Sequence, residues 1–204
     1  RTLTWNSRTV KSGLESSYLV FNSPANIKGS AFLTIESVPG EEEQWLYLPA
    51  LRRSRRISSD QKGESFMGTD FTYEDIGNET IDENNYRLLR NERMGSDVIS
   101  VIEACYKAPQ KQKETGYSKR VLYINQTNNM LVEAEFYDLN ARLEKKLECS
   151  GFKYYTDAGK WRPTTMVMKD VEKGSQTILT FTDYAINKGI DPARFTLRNL
   201  ESNR

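Results

Sequence analysis

Histidine is missing from all 204 residues. That absence removes the Ser-His-Asp and Cys-His nucleophile systems and the HExxH metal site from this chain. Cysteine is scarce: Cys105 and Cys149 alone cannot make a structural zinc site. Each sits in a strand-like run. They read either as two half-buried small hydrophobes or, in an oxidising compartment, as a disulfide whose geometry spacing does not give. No window of about eighteen apolar residues exists, so no segment is a candidate membrane-spanning helix. An excess of either charge is absent too, with 29 lysines and arginines against 28 acids. Near-neutrality argues against general nucleic-acid binding. Phosphate loop, GxSxG elbow and dinucleotide fingerprint are all lacking. The carboxylate pairs Glu74-Asp75, Asp82-Glu83 and Glu133 with Glu135 lie outside any glycine-rich context, so surface charge is their expected role. An enzyme is not expected, nor any cofactor or metal.

What the chain does have is concentrated between Trp45 and Ile76. There aromatic and aliphatic residues, the arginines Arg52, Arg53, Arg55 and Arg56, and the block Phe66-Met67-Gly68-Thr69-Asp70-Phe71 share about thirty residues without helical periodicity. The arginine run reads as a solvated strand end paired to acids such as Glu41–Glu43, or as an electropositive lip for anionic headgroups or an acidic partner. Arginine suits the second role because its planar fork binds phosphate or carboxylate through two bonds. A nucleic-acid role for the run is disfavoured by the neutral whole. Trp45, Tyr47, Phe66, Met67, Phe71 and Tyr73 read as core or as ligand contacts. A pocket for variable acyl chains would favour the adaptable Met67, Met166 and Met168, the last two sharing one strand face.

Period-two runs predict strands over 18–21, 31–35, 44–48, 65–67, 97–106, 119–124, 130–137, 142–149, 161–170 and 176–184. Pro39-Gly40, Asn125 to Asn129 and Val171 to Ser175 read as turns, and Lys107 to Gly116 as a polar loop. Asp70 to Ile76 reads as a short helix, and Asp191-Pro192 opens a terminal one over 193–199. Short strands with hairpin signals imply an antiparallel sheet, curled or closed. Several strands are apolar on both faces, as in a sheet with a lined concave face and equally in a sandwich. Length favours one domain. Because Arg1 opens directly into strand-like sequence, a segment upstream of it is expected.

Trp45 to Arg53 (WLYLPALRR), Arg55-Arg56-Ile57-Ser58, Ser65 to Phe71 (SFMGTDF) and Tyr73-Glu74-Asp75 resemble the outer-membrane lipoprotein-sorting family, the LolA/LolB-like group found with RND or MMPL-type exporters. Phe21, Ser23-Pro24 and Lys28 to Leu33 upstream look similar, as do Phe136-Tyr137-Asp138, Pro163 to Asp170, and Phe195-Thr196 with Leu200 downstream. The resemblance covers most of the chain. It implies a mainly β (α+β) fold, a half-open antiparallel barrel of about ten strands over a few short helices, with residues 1–204 as one carrier domain lacking its signal peptide and early helix and strand. It further implies a periplasmic protein, soluble or lipid-anchored, whose hydrophobic cavity takes up a lipid or lipoprotein acyl chain. The cavity residues expected on that reading are Trp45, Tyr47, Leu48, Phe66, Met67, Phe71, Tyr73, Met166 and Met168. Arg52, Arg53, Arg55 and Arg56 would meet a headgroup or a partner, such as an inner-membrane exporter or an outer-membrane acceptor. The alternative is a non-carrying periplasmic adaptor of an exporter or envelope complex.

Overall fold

Alternating β-branched, aromatic and polar residues set the architecture. In the computed structural model, which describes residues 1–10, 12–38, 41–78 and 80–202, they form two separate antiparallel meanders. The expected Pro39-Gly40 turn lies outside the described residues. The chain packs as two compact units, the first made of Arg1–Lys62, Glu74–Thr80 and Gly189–Arg204, the second of Gly63–Tyr73 and Ile81–Lys188.

In the first unit β1 (Thr2–Thr9), β2 (Glu15–Ser23), β3 (Ala31–Val38), β4 (Glu41–Leu48) and β5 (Arg53–Ile57) lie side by side in chain order. Both faces of the middle strands are buried, so β2 and β3 read as nearly continuous apolar runs. One face, with Tyr18, Ala31, Leu33 and Tyr47, packs against Phe195 and Leu200 of the C-terminal segment. That segment is a 3₁₀ turn, Pro192–Phe195, followed by helix α3 (Leu197–Ser202). The single helix expected over 193–199 is divided because Thr196 is extended and its hydroxyl accepts from the Asn199 N–H at 3.2 Å, starting a new helix.

The second unit holds β6 (Asn84–Met94), β7 (Asp97–Tyr106), β8 (Tyr117–Asn125), β9 (Met130–Asp138), β10 (Leu143–Ser150), β13 (Thr165–Asp170) and β14 (Gln176–Thr180) in one sheet. Its order is β14-β13-β10-β9-β8-β7-β6, open at both ends. A separate hairpin, β11 (Lys153–Tyr155) and β12 (Lys160–Arg162), is inserted between β10 and β13.

Several local expectations change. Ser65–Met67 is not a strand. Phe66–Gly68 is a 3₁₀ turn with Met67 at φ 51° and Gly68 at φ 72°, and only Ser65 bridges, to Thr72. The helix expected from Asp70 starts later, as α1 (Tyr73–Ile76), because the Asp70 carboxylate is held elsewhere. The polar loop contains a helix, α2 (Pro109–Thr115), with proline at its first turn and Gly116 left-handed at its end. The strand expected over 161–170 is broken at Pro163, which has no N–H to give to a ladder. β1 follows the strand-like opening after Arg1, whereas β5 and β6 lie outside the expected strands.

Candidate functional site

Cross-strand pairing aligns Leu88, Ile102, Leu122, Ala134, Leu147 and Met168 in one row on one face of the seven-stranded sheet, ending at Thr177. At about 4.8 Å per strand the row spans roughly 29 Å. Its two halves differ. Ala134, Leu147 and Met168 are buried, whereas Leu88 is 58% exposed and Ile102 and Leu122 are half-buried. Tyr86 (43% exposed) and the half-buried Ile124 widen the open half. An apolar strip is thus covered at one end and reaches solvent at the other.

The next row on the same face is Tyr86, Ala104, Arg120, Phe136, Lys145 and Asp170. It places two buried cations beside the strip. Arg120 donates to Asn84 Oδ1 at 3.1 Å and lies 5.1 Å from the Tyr106 ring centroid. Lys145 donates to the Tyr117 hydroxyl at 3.2 Å, and its strand partner is Asp170. Burial pushes the Asp170 carboxyl up, but Lys173 outweighs it. Its ammonium (2.6 Å) and backbone N–H (2.8 Å) hold the carboxyl below its ordinary range.

Near the covered end the segment 63–73 closes on itself. The Tyr73 N–H donates to Glu64 O, the Phe66 N–H to Phe71 O, and the Phe66 and Tyr73 rings meet edge to face at 5.6 Å. Asp70 tethers it to β14: its N–H donates to Thr177 Oγ1 (2.9 Å), while the Thr177 and Ser175 hydroxyls donate back to its carboxylate.

The opposite face carries a ladder of ion pairs. Glu103 accepts from Arg87 at 2.7 Å and Lys119 at 3.1 Å, which holds its carboxyl below the ordinary range. Lys146 bonds Glu135 at 2.8 Å and stands 3.9 Å from Glu133, and Lys169 pairs with Glu148. Apolar residues there, Ile99, Val101 and Val121, form their own buried cluster. The open strip therefore belongs to one face only.

The residues expected to line a cavity fall into separate groups. Trp45, Tyr47 and Leu48 belong to the first unit, where Tyr47 is in the core against Phe195 and Leu200 and Trp45 packs on its margin. Phe66, Phe71 and Tyr73 are buried in the closed loop with Met67 half-buried. Met166 and Met168 share the face of the apolar row. The arginines do not form one patch. Arg53 and Arg55 oppose Leu48 and Leu46, whereas Arg56 opposes Trp45 on the other face and pairs with Glu43 at 2.9 Å. Arg52 precedes the strand in a left-handed turn. Tyr86, Leu88, Ile102, Leu122 and Ile124 are outside the expected set. Alternation along β7 puts Ile102 on one face with Ser100 and Ala104, and it is the pairing with β6 and β8 that sets it beside Leu88 and Leu122.

The two cysteines are free thiols on opposite faces: Cys105 opposes Asn85 on the ion-pair face, and Cys149 opposes Met166 on the apolar one. Burial pushes the Cys149 thiol up to about 11, and also raises that of the half-exposed Cys105. With Ellman's reagent under native, mildly alkaline conditions, Cys149 should react at least roughly tenfold more slowly than Cys105. Equal rates for the two thiols, resolved with Cys105→Ser and Cys149→Ser, would contradict this placement.

An open antiparallel sheet with short helices matches the LolA-like fold. A LolA superfamily protein from Nitrosomonas europaea superposes at TM-score 0.70 with 21% identity, over 97% of this chain and 89% of that one, which establishes the fold. An outer membrane lipoprotein-sorting protein domain from Vibrio parahaemolyticus matches at TM-score 0.91 and 31% identity, over 98% of this chain and 83% of that one. A DUF1329 family protein from Desulfovibrio piger matches at TM-score 0.88 and 31% identity, over 96% and 82%. A family model described as "Uncharacterized protein" matches residues 13–202. The chain belongs to the outer membrane lipoprotein-sorting, LolA-like family that these structures represent. No curated protein matches it.

Proposed function

We propose that this protein is a non-enzymatic carrier of the bacterial envelope, sited in the periplasm, that takes up a lipid or lipoprotein acyl chain along the apolar row from Leu88 to Met168. The observation that carries this reading is the change along the row from exposed Leu88 to buried Met168, beside the buried Arg120 and Lys145. No helix among the described residues is long and apolar enough to cross a membrane. A bound chain gains roughly 0.8 kcal/mol per buried methylene, so an acyl chain of ordinary length gains about 10 kcal/mol before ordering costs are subtracted. The nearby cations suit an anionic headgroup, and delivery to an exporter-linked or outer-membrane acceptor needs only competition for the same chain. Of the residues expected from the sequence, Met166 and Met168 line the deep end and the Phe66–Tyr73 loop covers it, all within the second unit.

Mass spectrometry of gently purified protein should find stoichiometric lipid, and a fluorescent fatty-acid probe should bind and be displaced by it. Reversing Arg52 and Arg53 to glutamate separates the carrier from the adaptor. Unchanged uptake with loss of a protein partner favours the adaptor, and a protein that neither retains lipid nor binds the probe is not a carrier.

A further inference from the structure

Lys145 is a buried cation that the fold leaves short of partners. It is 5% exposed, and among the described residues it makes no ion pair. An ammonium carries three N–H donors. Among the described residues that of Lys145 makes one hydrogen bond, to the Tyr117 hydroxyl at 3.2 Å, with the Tyr117 ring centroid 5.6 Å away. Its strand partner Asp170 is engaged by Lys173, through the ammonium at 2.6 Å and the backbone N–H at 2.8 Å. Asp170 and the neighbouring Glu144 feel the charge of Lys145 without closing to an ion pair with it. A buried charge is costly unless it is paired and fully hydrogen-bonded, and Lys145 is neither.

The place of this cation beside the apolar row decides what would match it. Lys145 and Leu147 lie two residues apart on β10, so their side chains leave the sheet on one face. Leu147 belongs to the covered half of the row, and β10 stands four strand spacings from β6, the edge strand that carries the exposed Leu88. At about 4.8 Å per strand that is roughly 19 Å. One acyl chain fills one leaflet of a bilayer, half of a ~30 Å hydrocarbon core, or about 15 Å. A chain of ordinary length therefore fits between the ammonium and the open end of the row.

We propose that the cargo is a free long-chain carboxylate bound head first, its carboxylate on the Lys145 ammonium and its tail along the row toward Leu88. This assignment rests on the carrier reading and narrows its cargo. One cation with two further N–H donors matches one carboxylate, whose two oxygens both accept. An ester-linked or amide-linked chain, as in a lipoprotein or a phospholipid, has no charge at its first carbon. Folding has already stripped Lys145 of water, so binding has to desolvate only the carboxylate. The reverse orientation would press a methyl end against the ammonium and leave its charge unmatched.

Equilibrium dialysis with radiolabelled palmitate and, in parallel, methyl palmitate tests the choice of head. The wild type should bind the acid roughly tenfold or more tightly than the ester. In Lys145→Met, which puts an apolar side chain of similar length in place of the buried charge, that preference should vanish. Circular dichroism checks that the variant is folded, and the wild-type comparison stands without it. Orientation is read by ¹³C NMR of palmitate labelled at either end. The bound carboxyl resonance should escape a water-soluble paramagnetic agent that broadens the resonance of the terminal methyl.

Equal affinity for acid and ester in the wild type, or tighter binding of the ester, overturns the proposal and leaves the carrier reading standing. A preference that folded Lys145→Met retains also overturns it, as does a carboxyl resonance that broadens before the methyl one. Binding of neither ligand overturns the proposal together with the carrier reading.

Discussion

Replacing Lys62 by methionine is expected to cost the native state about 3 kcal/mol at or above neutral pH, because it leaves two carboxylates buried without their cation. Lys62 is 8% exposed, and its ammonium lies 3.6 Å from both Glu42 and Glu74 in the first unit. Glu42 is further held by the Asn78 N–H at 2.6 Å and the Gln44 amide at 2.7 Å. Even so, burial raises the Glu42 carboxyl above its ordinary range, with Lys62 the main opposing influence. The sign of the pH dependence follows. A carboxyl raised in the folded state favours folding most when protonated, and that benefit is lost as pH climbs through its folded value. Removing Lys62 raises Glu42 further and widens this loss, so the variant's deficit should grow with pH and shrink in mild acid. Urea unfolding midpoints at several pH values, with unchanged slopes, measure it. Glu42→Gln should cost far less, since Lys62 then keeps Glu74 as its single counter-charge. A Lys62→Met midpoint equal to wild type across the range would mean that the cluster is not load-sharing in solution.

Side-chain alternation made strands such as β7 and β9 legible, because a more deeply buried face imposes it residue by residue. β2 and β3 were legible instead as short apolar runs buried on both faces. β6 escaped for the opposite reason. It is an edge strand exposed along most of its length, and Tyr-Arg-Leu-Leu-Arg has no buried face to enforce a pattern; the bulge between Leu88 and Arg90 breaks what alternation remains. The arginine run became β5 through pairing with β4, a nonlocal cause that composition does not carry. α2 was concealed by its polar residues, although Pro109 and Gly116 bracketed it. For the site, Met166 and Met168 were legible as one face. The row joining them to Leu147, Leu122, Ile102 and Leu88 depends on the register of six strand pairs. Alternation says which residues of one strand share a face, and nothing in it says which residue of the next strand lies opposite.

Leu122→Glu should reduce affinity for a fatty-acid probe by roughly a hundredfold or more, about 3 kcal/mol, while the unliganded protein stays folded. Leu122 lies between Ile102 and Ala134, where the row passes from open to covered, so a chain running along it must cross this position. In the free protein the side chain is half-buried, and a carboxylate there can stay hydrated. A bound chain would strip that water, and it is this added desolvation that binding must overcome. Leu122→Met keeps the volume and the apolar surface, so it should bind within a few-fold of wild type. Leu88→Glu, at the more exposed end, should lose less than Leu122→Glu because its carboxylate keeps more of its water. That graded order is specific to a chain lying along the row. Equal losses at both positions would indicate a general disturbance of the sheet, and probe affinity unmoved by Leu122→Glu would place any acyl site elsewhere in the molecule.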